Sequence, residues 1–350
     1  MRSRQTDARG RQAIRPEWDA CVTSLRSPRP TRRDLLAACL ALVGSGAAAA
    51  LLAACQSSGP AADAAPETPA LPPVAFDADR AFDDLKRQCT FGPRVPGTQG
   101  HVRCRAFLAE ALRATADKVE LQEFRFRDGD RSLAMANIIA RWQGRDPKAR
   151  AVLLAAHWDT RPTADQEPDP QHRSTPIPGA NDGASGVAVL LEVARQLKQQ
   201  PPPGPVWIVL FDGEDYGPGV ERMFLGSRHF ARHLPADAPK VGVLLDMVGD
   251  AELSLPVEEN SLARARDVVA EVWSVARARG YGMTFLNRRA EAIQDDHLPL
   301  LDAGVKMIDV IDFDYPYWHT LADTPDKCSA ASLRAVGEVI TAWVLHGAAR

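Results

Sequence analysis

Short runs of branched apolar residues recur along this chain, and a stretch of helical periodicity follows almost every one. Residues 151–156, 206–211, 241–245 and 305–311 are such runs, closed off by turn-forming residues, as expected of strands buried on both faces. Between them the apolar positions switch to helical spacing. Over 186–199 they fall at Val187, Leu190, Leu191, Val193, Ala194 and Leu197, and similar patterns predict helices over 227–233, 262–279 and 331–345. Ahead of this region, 78–89 and 101–115 read as helices split by the turn Gly92-Pro93-Arg94-Val95-Pro96-Gly97. Residues 119–126 and 135–142 then read as an antiparallel pair of strands. The alternation predicts an α/β fold in a single domain, with a mostly parallel, twisted central sheet and helices on both faces. In such sheets ligands bind outside the carboxyl ends of the strands.

The first 54 residues do not fit this pattern. Nine arginines and four acids precede an apolar, uncharged stretch over 35–54, the arrangement of an export signal rather than of a fold element. Thr31-Arg32-Arg33-Asp34-Leu35-Leu36 resembles a twin-arginine export motif. Leu52-Ala53-Ala54-Cys55 resembles a bacterial lipobox, in which the cysteine is lipid-modified and becomes the first mature residue. The alternative is an uncleaved spanning helix, for which about 20 apolar residues suffice. Residues 55–73 are rich in Ala, Pro, Ser and Gly and read as a flexible tether. The expectation is therefore an export signal over 1–54, a tether over 55–73 and a catalytic domain over 74–350. That domain would lie on the periplasmic side of a bacterial envelope and meet the membrane only through a lipid at Cys55.

Charge and cysteine content narrow the partners. The chain of 350 residues carries 42 basic and 45 acidic side chains. Without residues 1–54 the balance is 33 against 41, a net charge of −8, which argues against nucleic acid. Of six cysteines, Cys21 and Cys39 leave with the signal and Cys55 would carry lipid. Cys89, Cys104 and Cys328 remain, an odd number that permits at most one bridge. A Cys89–Cys104 link and buried free thiols both stay open, and none of the three has a zinc-type spacing.

The chemistry gathers where the strands end. His157 and Asp159 follow the run ending at Ala156, Asp182 sits in Gly179-Ala180-Asn181-Asp182-Gly183, and Glu214 and Asp215 follow the run ending at Phe211. Asp246 closes the next run, and Asp295-Asp296-His297 and Trp318-His319 come later. Each piece has a plainer reading alone: Asn181-Asp182-Gly183 as a turn and helix cap, Glu214-Asp215 as a solvated loop pair, Asp295-Asp296 as an acidic helix entry. Together they place several carboxylates at one sheet edge, where they repel one another unless a cation neutralises them. Zinc with mixed Asp and His ligands and one open position suits a hydrolase or an acyl-transfer site.

Several of these segments also carry a family resemblance. Phe91-Gly92-Pro93-Arg94-Val95-Pro96-Gly97, His157-Trp158-Asp159-Thr160, residues 179–186, Leu225-Gly226-Ser227-Arg228-His229, Asp295-Asp296-His297 and Trp318-His319-Thr320 resemble the zinc aminopeptidase-like α/β family, and within it the glutaminyl cyclase branch. The resemblance runs from about Phe91 to the carboxyl terminus. It implies one zinc ion per chain held by Asp182, Asp215 and His319, with Glu214 as proton shuttle. Asp246 and Asp295 would form the acidic pair of a hydrogen-bond network, and Trp318 would line the pocket for a glutaminyl side chain. The substrates it implies are peptides or proteins with amino-terminal glutamine, converted to pyroglutamate with release of ammonia.

In peptidase relatives, residues corresponding to His157 and Asp246 hold a second zinc and that corresponding to Asp182 bridges both. A two-metal aminopeptidase is therefore the runner-up. A non-catalytic binding module is disfavoured, since Glu214 and His319 are both kept. Two departures stand out: Asp215 where many relatives carry Glu, and no Trp over 216–224, leaving Tyr216 or Phe224 in its place.

Overall fold

The computed structural model describes residues 71–347. The export motif, the lipobox and all of the tether before residue 71 lie outside the described residues. Among those described, no helix is long and apolar enough to cross a membrane.

Two helices, α1 (Ala78–Cys89) and α2 (Gln99–Arg113), lead into the long hairpin of β1 (Lys118–Asp128) and β2 (Arg131–Trp142). Asp77 caps α1 by accepting from the Arg80 N–H, and Thr98 caps α2 by accepting from the His101 N–H. The remaining main-sheet strands are β3 (Val152–His157), β4 (Val206–Phe211), β5 (Val241–Asp246) and β8 (Lys306–Ile311). The six-stranded order is β1-β2-β4-β3-β5-β8. β1 and β2 join antiparallel and β2 pairs antiparallel with β4, whereas β3–β4, β3–β5 and β5–β8 are parallel. The sheet is thus mostly parallel, as expected. All six residues of β3 and of β4 are buried, which is why these strands read as unbroken apolar runs.

Helices flank this sheet. α3 (Ala184–Gln199) lies against the central strands and packs with α1 and α8 (Ala330–Ala342), burying nearly its whole length. The other helices are α4 (Leu225–Arg232), α5 (Glu259–Arg264), α6 (Arg266–Ala278) and α7 (His297–Asp302). The single helix expected over 262–279 is in fact the pair α5 and α6, broken at Ala265, where φ is −141°. A second, two-stranded parallel sheet, β6 (Leu255–Val257) with β7 (Phe285–Arg289), was not anticipated. Cys89, Cys104 and Cys328 are free thiols, which resolves the alternative left open. Burial pushes the Cys104 thiol up to about 12.

Candidate metal centre and catalytic pocket

The carboxyl ends of β3, β4 and β5 deliver His157, the 212–215 loop and Asp246 to one place. Two further loops close on it, carrying Asp182 just before α3 and Trp318-His319 after β8. The first of these approaches very closely: a Cβ at Gly183 would lie 2.5 Å from the His157 ring, so no side chain fits there. Gly213, at φ +72°, turns the chain after β4. Met247 and His319 hold positive φ of 46° and 55° without being glycine. Both line the pocket, whereas Phe224, the third such residue among those described, at φ 57°, does not.

Three buried groups fix these loops. The Asp159 carboxylate accepts from the Glu214 N–H (3.0 Å) and the Asp215 N–H (3.2 Å). Asp323 does the same for Asn181 (2.8 Å) and Asp182 (3.2 Å) and also receives the Tyr315 hydroxyl. Arg94, fully buried, donates to the carbonyls of Trp158, Pro178 and Gly179. It thereby ties the 92–97 turn to the loop after β3 and to the loop before α3. Asp212, although part of the acidic run, does not reach the pocket: it pairs with His101, 2.8 Å away, beneath Trp158.

Asp182, Asp215 and His319 present one donor atom each, all within 4.8 Å of one another, and so do His157, Asp182 and Asp246. His319 Nε2 lies 3.3 Å from Asp215 Oδ1 and 3.6 Å from Asp182 Oδ2. His157 Nε2 lies 3.1 Å from Asp182 Oδ1 and 3.2 Å from Asp246 Oδ1. The two sets share Asp182. A third buried group, Asp295, His297 and Asp309, sits at the start of α7 and within β8. The expected set is thus brought together, with Glu214, Asp295 and Trp318 lining the same pocket of about 250 Å³.

Electrostatics make the demand for a cation concrete. Asp159, Asp182, Glu214, Asp215, Asp246, Asp295 and Asp296 are all buried here, against His157, His319 and Arg161. Burial raises Glu214 and Asp295 well above the usual carboxyl range. His157 opposes this at Glu214, while Asp246 and Asp296 add to it at Asp295. Asp182 is raised by burial and by Asp215. Asp215 is lowered despite burial, because His319 and Arg161 face it. Burial disfavours the His319 cation, yet Asp215 and Asp165 lift its pKa to about 9. Asp215 Oδ2 is buried with no hydrogen-bond donor. One nitrogen and two carboxylate donors around such an orphaned oxygen fit zinc.

Three contributors escaped the sequence reading. Arg161 Nη1 donates to Asp215 Oδ1 at 2.6 Å and its Nε to Asp165 at 2.8 Å. Asp165 in turn lies 3.2 Å from His319 Nδ1, and Asp323 holds the Asp182 loop. The aromatic substitute was also misplaced. Tyr216 points away, its hydroxyl on Asp128, and Phe224 is not in the pocket wall; Met223 is. Trp318 stacks on His319, with ring centroids 3.8 Å apart.

The sequence profile of peptidase family M28 matches residues 137–344. The chain belongs to that family. Among solved structures, glutaminyl cyclase from Bacteroides thetaiotaomicron, bound to N-acetylhistamine, is 39% identical, with a TM-score of 0.74 over 79% of this chain and 99% of that one. A Zn-dependent exopeptidase from Parabacteroides distasonis is 38% identical, with a TM-score of 0.74 over 79% and 100%. The glutaminyl-peptide cyclotransferase-like protein of Mus musculus is 27% identical over 72% of this chain and 71% of its own length. Aminopeptidase YwaD of Bacillus subtilis is 30% identical over 55% of this chain, a match that spans 40% of that protein. The M28 relatives therefore include both cyclases and zinc peptidases, which supports an enzyme, and the donor sets described above are candidates for a metal site.

Proposed function

We propose that this M28 chain is a glutaminyl-peptide cyclotransferase with one zinc ion per chain, held by Asp182, Asp215 and His319. The observation that carries the reading is the pocket lining. Glu214 and Asp295, two carboxyls pushed upward by burial, share a small cavity with the donor set and the Trp318 ring. Likeness to a bacterial glutaminyl cyclase over 99% of that enzyme's length supports it.

The residues divide the work as follows. Bound zinc supplies Lewis-acid polarisation of a carbonyl. Trp318 and Met223 wall a cavity of a size that suits the side chain of an amino-terminal glutamine. Glu214 takes a proton from the substrate's α-amine as that nitrogen bonds to the γ-carboxamide carbon. It returns the proton to the amide nitrogen, the carbon–nitrogen bond breaks and ammonia leaves. Asp295, whose carboxyl is pushed upward by burial, Asp246 and Asp296, accepts from the Asp296 N–H and orders the acidic network. Because ring closure is intramolecular, holding the glutamine folded supplies much of the rate. The catalytic domain would act outside the cytoplasm, carried on a lipid at Cys55.

A second reading rests on a specific observation. His157, Asp182 and Asp246 form another donor set that shares Asp182 with the first, the requirement of a two-metal aminopeptidase. Incubation of the mature protein with Gln-initiated and Ala-initiated peptides separates the two. Ammonia and a mass loss of one ammonia from the Gln peptide alone support the cyclase; a free amino acid from either peptide supports the peptidase.

A further inference from the structure

The catalytic pocket does not end at Trp318. It shares Glu291, Ile293, Ile311 and Phe313 with a neighbouring depression of about 410 Å³. That depression shares Arg288 and Arg289 with a third, of about 620 Å³, bordered by α6 and β7. One stretch of chain, from β7 to Asp295, therefore contributes to all three. Val257, Val269 and Trp273 give the far depression an apolar floor, and Arg266, Arg277, Arg288 and Arg289 give it a basic rim.

These arginines stand out on a body with net acidic charge, and they are poorly paired. Among the described residues, Arg266 and Arg277 make no ion pair. The carboxylates facing Arg288 and Arg289 are Asp314 at 3.9 Å and Glu259 at 3.8 Å, with all four side chains exposed. Exposed pairs at such distances contribute little, so the guanidinium groups are free to meet another anion. Arg288 and Ile293 are five positions apart. At roughly 3.3 Å per residue for extended chain they span at most about 17 Å, the reach of about five residues of an extended peptide.

We propose that this groove carries the substrate chain beyond its amino-terminal residue, and that Arg288 and Arg289 select peptides with acidic side chains about three to five positions downstream. The proposal rests on the reading that the pocket receives a peptide's amino-terminal residue, which the cyclase and the aminopeptidase have in common. Continuity with the pocket and the weakly paired basic rim commit the groove to an acidic peptide segment rather than to a lipid surface.

The test compares the mature protein with Arg288→Ser/Arg289→Ser and Arg288→Glu/Arg289→Glu. The substrates are Gln-Ala-Ala-Glu-Glu-Ala amide and its Ser-Ser and Lys-Lys counterparts. Each kcat/KM is divided by the same protein's value on Gln-Ala amide, which ends before the groove. Two exposed charge pairs should favour the acidic over the neutral peptide by about 3- to 10-fold, mainly through KM, and the preference should shrink in 0.5 M NaCl, a concentration on the order of those that screen surface charge. The Ser variant should bring the ratio close to unity, and the Glu variant should put the Lys peptide first. Equal rates on all three peptides with the unaltered protein, or a preference that survives charge reversal, would overturn the proposal. So would variants that lose only binding to anionic phosphatidylglycerol vesicles, which would assign the arginines to a membrane. If the peptides are shortened by one residue instead of losing ammonia, the functional reading fails and the groove is judged on the shortening rates. If neither product forms, binding of the three peptides, labelled at their carboxyl ends and followed by anisotropy, makes the same comparison.

Discussion

Glu258 is a buried carboxylate outside the reaction that governs one wall of the pocket. It caps α5 by accepting from the Asn260 N–H (2.8 Å), the Ser261 N–H (2.6 Å) and the Ser261 hydroxyl (2.7 Å). It also accepts from the N–H of Ile293 (3.0 Å), a residue of the pocket lining. Burial works against the charge, but His297, Ser261 and Asn260 hold its pKa down to about 2. In Glu258→Gln one oxygen becomes an NH₂ group that cannot accept. Whichever way the amide turns, two donors lose a charged partner: Ser261 N–H and Oγ–H, or Asn260 N–H and Ile293 N–H. At about 1–2 kcal/mol for each buried donor left unpaired, the variant should lose about 2–4 kcal/mol of stability at pH 7. For a domain of this size that is a fall in melting temperature of roughly 4–16 °C. The pH dependence has a definite sign. A carboxyl with its folded pKa depressed from 4.5 to about 2 contributes its full stability above the unfolded value and loses it as pH falls through the folded one. Denaturant titrations should therefore show a constant gap between the two proteins from pH 8 to pH 5 that narrows below about 4.5. KM for Gln-initiated peptides should rise as the Ile293 segment loosens. A variant within 0.5 kcal/mol of the parent at pH 7, or a gap that widens in acid, would refute this account; the former lies below even about 1 kcal/mol, the low end for one lost bond.

The catalytic assignments lead to further expectations. Glu214→Gln keeps volume but cannot carry a proton, so turnover should fall at least about 100-fold while bound zinc and substrate KM change little; near-parental turnover would move the shuttle elsewhere, with Asp295 the next candidate. Metal analysis should return about one zinc per chain, and His319→Ala, which removes the only nitrogen donor of the proposed set, should lose both zinc and activity; two tightly held ions would favour the peptidase reading. Asp215→Asn should lower zinc occupancy before it affects turnover of the metal-loaded fraction. Membrane fractionation tests the amino-terminal reading, since Cys55→Ala should release the protein or leave it unprocessed, whereas unchanged membrane association would favour a spanning helix over residues 35–54.

What the sequence made legible follows a physical divide. The strands β3, β4, β5 and β8 are buried on both faces, so their composition alone marks them, and their ends lie within a residue or two of expectation. The acidic and histidine motifs were readable because they terminate those strands. The α5–α6 break was not, because the apolar spacing of Val268, Val269 and Val272 belongs to α6 and says nothing of where the preceding turn ends. β6 has three residues, too few for a period. The groups that hold the loops were invisible for another reason. Asp323 and Asn181 are separated by 142 positions and Arg161 and Asp215 by 54, and lone charged residues in loops carry no pattern until the fold brings their partners close.

The departure at Asp215 illustrates how these hidden contacts decide a visible one. Asp215 is one methylene shorter than a Glu, so its reach into the candidate donor set depends on where the backbone places it. Here the loop turns at Gly213 with positive φ, and Asp159 grips the next two N–H groups from the end of the neighbouring strand. Both Glu214 and Asp215 are thereby set from the backbone, before their side chains are considered. Arg161, itself buried, then donates to the Asp215 carboxylate and, with His319, lowers its pKa despite burial. Glu214, one residue earlier, faces only His157, 3.8 Å away, which does not offset burial and the neighbouring Asp215, and is raised instead. Two adjacent acids on one loop are driven in opposite directions by what each faces. That difference suits one to hold a metal as a permanent anion and the other to accept and return a proton.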